Sequence, residues 1–320
     1  MEYEKIPTVP TADELLDRAF RKPALLKREK RNKKRGDEEF IRSVSKSLSD
    51  KLIDTVKRFP TIENLPIFYQ EMTDLLFGID RMRRSLGALS WAASQVMTIG
   101  NEYAWQIRKS EQSSDIRKQG TARIASVIHQ IDDDLHFLNE ARNTLRKLPD
   151  VRDDFTIVVA GFPNVGKSSF IRLISSAEPE VAEYAFTTKQ IVVGHREIGR
   201  ERIQIVDTPG ILDRPAHERN YIEHQALSAI TNIADVILFI IDASEMCGYP
   251  VDEQLNLLEE LRRMIDGVPI EVVVNKSDLK SLDGYQNMST TSGEGVEDVV
   301  ERLLTYRESS PSSPLLHIEE

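Results

Sequence analysis

The first half of the chain has the apolar spacing of packed helices. Between residues 39 and 148, apolar side chains recur every three or four positions, with few glycines or prolines to interrupt them. The clearest stripe contains Ile124, Val127, Ile128, Ile131, Leu135, Leu138, Leu145 and Leu148. An earlier stripe begins at Ile41 and stops at Pro60. This pattern predicts a helical bundle over residues 39–150.

Beyond residue 149 the pattern changes to short β-branched runs that alternate with helical segments. The runs occupy residues 155–160, 190–193, 203–206, 236–241, 270–274 and 285–289. Such alternation is typical of an α/β fold with a mostly parallel sheet, which binds ligands at the carboxyl ends of its strands. We therefore predict an α/β domain over residues 151–307, followed by a flexible tail rich in serine and proline over residues 308–320.

Large residues that fall between the helical stripes are predicted to fill the core. Trp91, Met97 and Trp105 are of this kind, and we expect all three to be buried in the bundle. Cys247 is the sole cysteine, so an intrachain disulfide or a cysteine-based metal site is excluded. We expect Cys247 to be a small packed residue.

Length and composition indicate the general class of protein. A chain of 320 residues suggests two domains, and 40% hydrophobic with 29% charged residues is typical of soluble globular proteins. No apolar run approaches the roughly 18 residues of a membrane span, and residues 1–5 begin no secretory signal. We expect a cytoplasmic protein that does not bind membranes and is monomeric when free.

The charge is divided unevenly. Residues 1–150 carry a formal charge of +4 and the remainder −14. Ten lysines and arginines but one acid, Glu29, lie between residues 18 and 35. Since Pro23 and Gly36 interrupt this run, we predict an extended basic arm over residues 1–38 that follows RNA phosphates. The alternative is a helix face whose charges are merely solvated.

A phosphate-binding loop follows the first predicted strand. Residues 161–168 read G-x-x-x-x-G-K-S and precede an apolar helix, which is the context that this motif requires. Lys167 is predicted to contact the β- and γ-phosphates, and the Ser168 hydroxyl to bind Mg²⁺. The residues assigned to phosphate contact are Asn164, Val165, Gly166, Lys167, Ser168 and Ser169.

Two further segments are placed to reach the metal and the γ-phosphate. Asp207 ends the strand at 203–206, where its carboxylate would hold Mg²⁺ through water, and the amide of Gly210 would sense the γ-phosphate. Within residues 184–189 a threonine is expected to reach Mg²⁺. We assign Thr188, with Thr187 as the alternative.

The motif at residues 275–278, Asn-Lys-Ser-Asp, indicates which nucleotide base the site binds. The carboxylate of Asp278 can accept two hydrogen bonds from guanine, and adenine does not offer that pair of donors. A site built for such bonds rejects the wrong base by roughly 10⁴ or more. Asn275 and Lys276 belong to the same site, and Ser289 with Thr290 fits a loop that backs the guanine carbonyl. The predicted ligand is GTP or GDP.

Taken together, these segments resemble a known family. The motifs at 161–169, 184–189, 193–195, 207–213 and 275–278 are similar to the Obg-related translation GTPases, and most of all to the nucleolar GTP-binding protein 1 family. The residues 6–11, Ile-Pro-Thr-Val-Pro-Thr, extend the likeness into the first domain. The resemblance implies a factor in large ribosomal subunit assembly that contacts ribosomal RNA. Because the sequence stops at Glu320, before the carboxyl-terminal extension of eukaryotic members, it looks like an archaeal-type form, and we expect one.

The sequence leaves open how fast the protein hydrolyses GTP and what stimulates hydrolysis. Ile211 stands where many GTPases carry a water-orienting glutamine, so slow intrinsic hydrolysis is expected. Asn164 resembles the asparagine of GTPases that bind K⁺ beside the phosphates, although it could instead only brace the loop. Two other functions remain alternatives: a signalling or membrane-associated GTPase, and a scaffold that binds GTP without hydrolysing it.

Overall fold

The computed structural model describes residues 3–28, 32–148, 150–152, 154–183, 190–199, 201–207 and 231–309. The chain divides into two compact units. The first comprises Met1–Asn64 and Leu76–Arg146, and the second comprises Leu65–Leu75 and Lys147–Glu320. The short segment 65–75, which we predicted to be part of the bundle, therefore clusters with the second unit.

The first unit is helical, as the apolar spacing predicts. Its described helices are α1 (Ala12–Arg28), α2 (Lys33–Arg58), α4 (Ile79–Lys109), α5 (Ser113–Gln130) and α6 (Asp132–Leu145). Helix α3 (Ile67–Phe77) begins in the second unit. The stripe from Ile124 to Leu148 is buried throughout, and so are Ile41, Val44 and Leu48 on α2. These apolar faces form the core of the bundle.

The prediction of an extended basic arm over residues 1–38 is wrong. Residues 12–28 form helix α1, which continues through Pro23, and Asn32 caps the start of α2 by accepting a hydrogen bond from the Arg35 amide at 3.1 Å. The reason is an apolar face that the arginines and lysines obscure in the sequence: Leu15, Leu16 and Ala19 are buried. The segment is thus part of the packed bundle.

The two tryptophans were also assigned wrongly. Trp91 is 47% exposed and Trp105 is 56% exposed, while Met97 is partly buried. All three lie on α4, whose buried face is made by small and medium side chains such as Leu89, Ala93 and Val96. Residue size suggested a core position, but helical phase puts the tryptophans on the opposite face.

Two glycines on α4 provide a matched test of the packing between α2 and α4. A Cβ atom added at Gly100 would overlap the Ser45 side chain of α2, whereas one added at Gly87 would meet open space. Both Gly→Ala changes gain helix propensity of up to about 1 kcal/mol. We expect Gly87→Ala to raise the thermal unfolding midpoint and Gly100→Ala to lower it, because overpacking costs about 1–3 kcal/mol. Equal shifts from the two variants would contradict the close approach of these helices.

The second unit contains a mixed, mostly parallel sheet in the order β2-β3-β4-β1-β5-β6-β7. Its strands are β1 (Phe155–Ala160), β2 (Glu180–Glu183), β3 (Gln190–Ile198), β4 (Glu201–Asp207), β5 (Val236–Asp242), β6 (Ile270–Asn275) and β7 (Gln286–Asn287). Strands β4, β1, β5, β6 and β7 pair in parallel, while β2 with β3 and β3 with β4 are antiparallel. The carboxyl ends of β1, β5 and β6 consequently lie at the same edge.

Three described helices of this unit each follow a strand of the sheet. They are α7 (Lys167–Ile174), α8 (Val251–Met264) and α9 (Val296–Ser309). Every residue of β5 is buried, as expected of a central strand covered on both faces. Helix α9 ends at Ser309, slightly beyond the predicted domain limit at residue 307, and the remainder of the predicted tail lies outside the described residues. In the part of the chain that the structure describes, no helix is both long and apolar enough to cross a membrane.

Candidate nucleotide-binding site

The loop between β1 and α7 has the backbone of a phosphate cradle. Gly161, Asn164 and Gly166 have positive φ angles of 130°, 64° and 109°, which turn successive amides toward one side. Asparagine is one of the few side chains that tolerate this region, so its presence at position 164 is explained by the backbone alone. Helix α7 begins directly after Gly166, so its amino terminus faces the same side.

The side chain of Lys167 lies inside the loop between β1 and α7. Its side chain is buried, and its ammonium donates hydrogen bonds to the carbonyl oxygens of Gly161 at 2.8 Å and Phe162 at 2.9 Å. The ring of Phe162 packs against Tyr249, with ring centroids 4.2 Å apart. A positive charge is therefore held at the centre of the loop. The assignment of the Val165 and Ser169 amides to phosphate contact stays a prediction.

The side chains predicted to hold Mg²⁺ meet at the edge of the sheet. The hydroxyl of Ser168 donates to Oδ2 of Asp207 at 3.0 Å, although the two residues are 39 positions apart in the chain. Oxygen donors of this type suit Mg²⁺, which is usually bound by one or two protein groups together with substrate phosphates. Within the described residues, no three His, Cys, Asp or Glu side chains are grouped so that they could hold a metal ion. The residues present thus fit a metal that takes its remaining ligands from a nucleotide.

Asn275 connects the phosphate loop to the predicted base loop. Its buried side-chain amide donates to the Val165 carbonyl at 2.8 Å and to the Thr290 hydroxyl at 3.1 Å, and its oxygen accepts from the Thr290 amide at 2.9 Å. The sequence assigned Asn275 and Thr290 to ligand contact. In the structure their polar atoms bind each other and the phosphate loop, which fixes the distance between the two halves of the site.

Asp278 and Ser289 also meet. The Ser289 hydroxyl donates to Oδ1 of Asp278 at 2.6 Å. Ser289 is buried, and its backbone is held by the Gly293 amide at 2.8 Å and the Glu294 carbonyl at 2.9 Å. A rigid serine therefore orients the carboxylate that is predicted to read the base. This contact brings together two residues that the sequence analysis assigned separately.

Sequence reasoning did not find Asp242, which ends β5. Its Oδ2 accepts from the Lys276 ammonium at 2.5 Å and from the Cys247 amide at 2.8 Å. Burial alone raises the pKa of Asp242, but the hydrogen bonds from Lys276 and Ser244 outweigh it, and the pKa lies below its ordinary value. Lys276 itself has a φ of 58°. The signal that could have revealed Asp242 is its place at a strand end, which it shares with Asp207.

A buried side-chain amide adds to the hydrogen bonds of Asp242 in holding the loop after β5. Gln254, on α8, donates to the carbonyls of Asp242 at 3.0 Å and Tyr249 at 2.9 Å, and its oxygen accepts from the Asp242 amide at 2.8 Å. Cys247 lies in this loop and is buried, so its predicted packing role is confirmed. Burial raises the pKa of its thiol.

Three predicted residues lie outside the described residues: Thr187, Thr188 and Gly210. Their assignment to Mg²⁺ and the γ-phosphate stays a prediction. Lys167, Ser168 and Asp207 converge on one side of the site, while Asn275, Asp278, Ser289 and Thr290 form the other.

Comparison with known proteins agrees with the two-part organisation. Residues 3–152 match the NOG1 N-terminal helical domain, and residues 156–276 match the 50S ribosome-binding GTPase family. An uncharacterized protein of Methanocaldococcus jannaschii is 42% identical over 288 residues, which cover 87% of this chain and 81% of that one. Nucleolar GTP-binding protein 1 of Saccharomyces cerevisiae is 32% identical over 290 residues, which cover 87% of this chain and 45% of that one.

A solved structure of putative nucleolar GTP-binding protein 1 from Plasmodium falciparum is 33% identical, with a TM-score of 0.45. The likeness covers 51% of this chain and 91% of that one. The chain spans about half the length of the nucleolar relatives that it matches, 45% in yeast and in Drosophila melanogaster.

Proposed function

The chain belongs to the nucleolar GTP-binding protein 1 family, and we propose that it is a GTP-controlled factor that acts in assembly of the large ribosomal subunit. Its second unit is a P-loop GTPase domain, preceded by the helical domain of that family. The observation that carries the proposal is the junction at Asn275, which ties the phosphate loop to the loop that holds Asp278 and Ser289. We further propose that the protein acts in the cytoplasm and is monomeric when free.

In the proposed reaction, water attacks the γ-phosphate of GTP, the bond to the β-phosphate oxygen breaks, and GDP and phosphate are released. Lys167 would exchange its bonds to the Gly161 and Phe162 carbonyls for bonds to the phosphates. Ser168 and Asp207 would hold Mg²⁺, which neutralises phosphate charge when bound. Thr188 and Gly210 are proposed to sense the γ-phosphate, so GTP and GDP would differ in how they hold those segments.

Single-turnover hydrolysis measured with purified ribosomal subunits tests this function. We expect slow hydrolysis by the protein alone and a marked acceleration by large subunits, but not by small subunits. A signalling GTPase would respond to neither subunit, and a non-hydrolysing scaffold would retain GTP under every condition. Either outcome would refute the assembly role, whereas the second would also refute the proposed catalysis.

We propose K⁺ as a second cation, with Asn164 as its ligand. A monovalent cation there would neutralise charge that develops in the transition state, the task that an arginine finger performs elsewhere with a 10³–10⁵-fold gain. We expect turnover in K⁺ to exceed that in Na⁺ by roughly tenfold or more. Asn164→Gly, which keeps the positive φ of 64° but removes the side chain, should abolish the difference. Equal rates in the two salts would leave Asn164 with the backbone role alone.

We also propose that the protein contacts ribosomal RNA, with the basic segment 18–35 as one contact. Some cations of this segment have acidic partners: Arg18 is paired with Glu14 at 3.8 Å, Lys34 with Glu111 at 3.3 Å and Arg35 with Glu39 at 3.1 Å. These exposed pairs are individually weak, so a polyanion could displace them.

Charge substitution tests this contact without disturbing the bundle. Deleting residues 1–36 would remove buried core residues such as Ile6 and Leu15, so we use Arg18→Gln with Arg21→Gln instead. If both arginines touch phosphates, the slope of log affinity against log salt should become shallower by about 1.5 to 2. Lys57→Gln with Lys118→Gln removes two other exposed charges as the control. An unchanged slope in the first variant would mean that these arginines are only solvated.

A further inference from the structure

The outward face of α4 combines features that its role in the bundle does not require. We use the name α4 outer face for the surface formed by Arg84, Gly87, Trp91, Thr98, Trp105 and Lys109. Trp91 and Trp105 are 14 positions apart, which is close to four helical turns, so their side chains project from the same side about 21 Å apart. Arg84 and Lys109 lie on that same side, one toward each end.

Exposure of both indole rings is costly in water, and about half of each ring is left in contact with solvent. Among the described residues, the large hydrophobic side chains with high exposure include two aromatic ones, and both are on this face. The positions between them are small or polar: Ser94, Thr98 and Asn101 are exposed. An interface for an amphipathic protein helix would be expected to offer aliphatic side chains here. The α4 outer face instead offers flat rings separated by open, shallow surface.

The charges at its ends are positive. Lys109 lies over the Trp105 ring, with its ammonium 3.8 Å from the ring centroid, and Arg84 donates to the backbone carbonyl of Asp80 at 3.3 Å. Between Arg84 and Lys109 the one acid on α4 is Glu102, which accepts a hydrogen bond from Gln106 at 3.2 Å. Asp80, one turn before Arg84, is paired with Arg83 at 3.4 Å. Exposed aromatic rings with flanking cations are the elements with which proteins bind single-stranded nucleic acid, because every base has a π-face and every nucleotide a phosphate.

We propose that the α4 outer face binds an unpaired segment of RNA, with bases stacked on Trp91 and Trp105 and with phosphates near Arg84 and Lys109. The 21 Å between the rings corresponds to about six nucleotides at 3.4 Å per nucleotide, within the range of known single-strand sites. The inference rests on the proposed function, because it identifies a surface that contacts ribosomal RNA. It does not depend on the basic segment 18–35. Recognition by stacking predicts little base preference.

The chain offers a direct probe, because Trp91 and Trp105 are its two tryptophans. We would titrate the full-length protein with an unstructured twelve-nucleotide RNA and follow tryptophan fluorescence. Stacking is expected to quench the emission, with a salt-dependent affinity. Quenching that follows the binding curve of a labelled RNA, measured by anisotropy, supports the proposal. Binding of the labelled RNA without any change in tryptophan emission overturns it.

Substitutions separate stacking from a general loss of structure. Trp91→Ala with Trp105→Ala should weaken RNA binding at least tenfold, since stacking on each ring is worth a large factor. Trp91→Phe with Trp105→Phe keeps an aromatic face and should restore most of the affinity. Ile53→Ala, at an exposed position of α2, is the control and should change nothing. GTP affinity should be the same in every variant, because the nucleotide site lies in the second unit, and the unfolding midpoint of each variant shows whether the bundle stays folded.

The outcomes distinguish this inference from the proposed function. If the alanine variant binds RNA as tightly as the parent protein, the α4 outer face is not the site, while RNA contact elsewhere stands. If the alanine variant binds large subunits poorly but isolated RNA normally, the face binds a ribosomal protein, which overturns the inference alone. If the parent protein binds no RNA at all, both the inference and the proposed RNA contact fail, and subunit-stimulated hydrolysis still tests the rest.

Discussion

Replacing Asp278 with asparagine is expected to lower GTP affinity by roughly 10³-fold or more and to make xanthosine nucleotides the preferred ligands. The Ser289 hydroxyl bonds Oδ1 of Asp278 at 2.6 Å and orients the carboxylate, so that Oδ2 and the second lone pair of Oδ1 would accept the two hydrogen bonds from guanine. In Asp278→Asn the Oδ2 position becomes an amide donor and faces the donors of guanine. Xanthine presents a carbonyl oxygen there, so the amide regains a partner. Losses of this size are typical when a polar group of the site is left unpaired.

Competition binding with GTP, ATP and xanthosine triphosphate measures this change in base preference. Ser289→Ala is the matched control, because it removes the orienting hydroxyl but keeps the carboxylate. We expect it to weaken GTP binding by about tenfold, the effect of one lost hydrogen bond to a charged group, with no gain for xanthosine triphosphate. ATP that competes within about tenfold of GTP in the parent protein would show that the guanine assignment is wrong.

The positions of most strands along the chain and of the phosphate loop could be predicted, because local sequence pattern decides both. Strand β1 matches its predicted range of 155–160, and β5 and β6 each extend one residue further. Buried parallel strands read as continuous apolar runs, so their limits are visible in the sequence. Strand β2, Glu180–Glu183, was missed because it is a short edge strand whose composition does not differ from a loop.

The errors in the first unit have a common cause: a strong local feature concealed the helical phase. In α1 the concentration of positive charge suggested an arm, although Leu15, Leu16 and Ala19 form a buried stripe. In α4 the size of Trp91 and Trp105 suggested burial, although both are more than 45% exposed. Amphipathicity depends on angular position around the helix, and neither total charge nor side-chain volume reports it.

The residues of the candidate site could be predicted from the sequence, but the hydrogen bonds between them could not. Asn275, Ser289 and Thr290 were assigned to nucleotide contact from their motifs, yet the structure uses Asn275 and Thr290 to join two loops. That link joins residues more than 100 positions apart, Val165 and Asn275, so no local pattern contains it. Asp242 was overlooked because its partner, Lys276, comes from a neighbouring strand end.

The link at Asn275 makes Gly166 a sensitive backbone position in the site. Gly166 has a φ of 109°, and a Cβ atom added there would overlap the side-chain amide of Asn275 and lie 3.4 Å from the Thr290 hydroxyl. Gly166→Ala therefore adds backbone strain of about 1–2 kcal/mol and forces Asn275 away from the Val165 carbonyl. Both the phosphate loop and the base loop lose their common support. We expect GTP and GDP affinity to fall by at least roughly 100-fold, about 2.7 kcal/mol.

Gly199→Ala separates the two effects of that substitution. Gly199 also has a positive φ, 66°, but a Cβ atom added there meets open space. We expect Gly199→Ala to lower the unfolding midpoint slightly through strain and to leave nucleotide affinity unchanged. Titration calorimetry measures the nucleotide affinity of both variants, and thermal unfolding measures their stability. Together they show whether Gly166→Ala loses affinity beyond the effect of backbone strain. If Gly166→Ala binds GTP as well as Gly199→Ala does, the contact between Asn275 and the phosphate loop does not position the nucleotide, and other contacts must hold the two loops together.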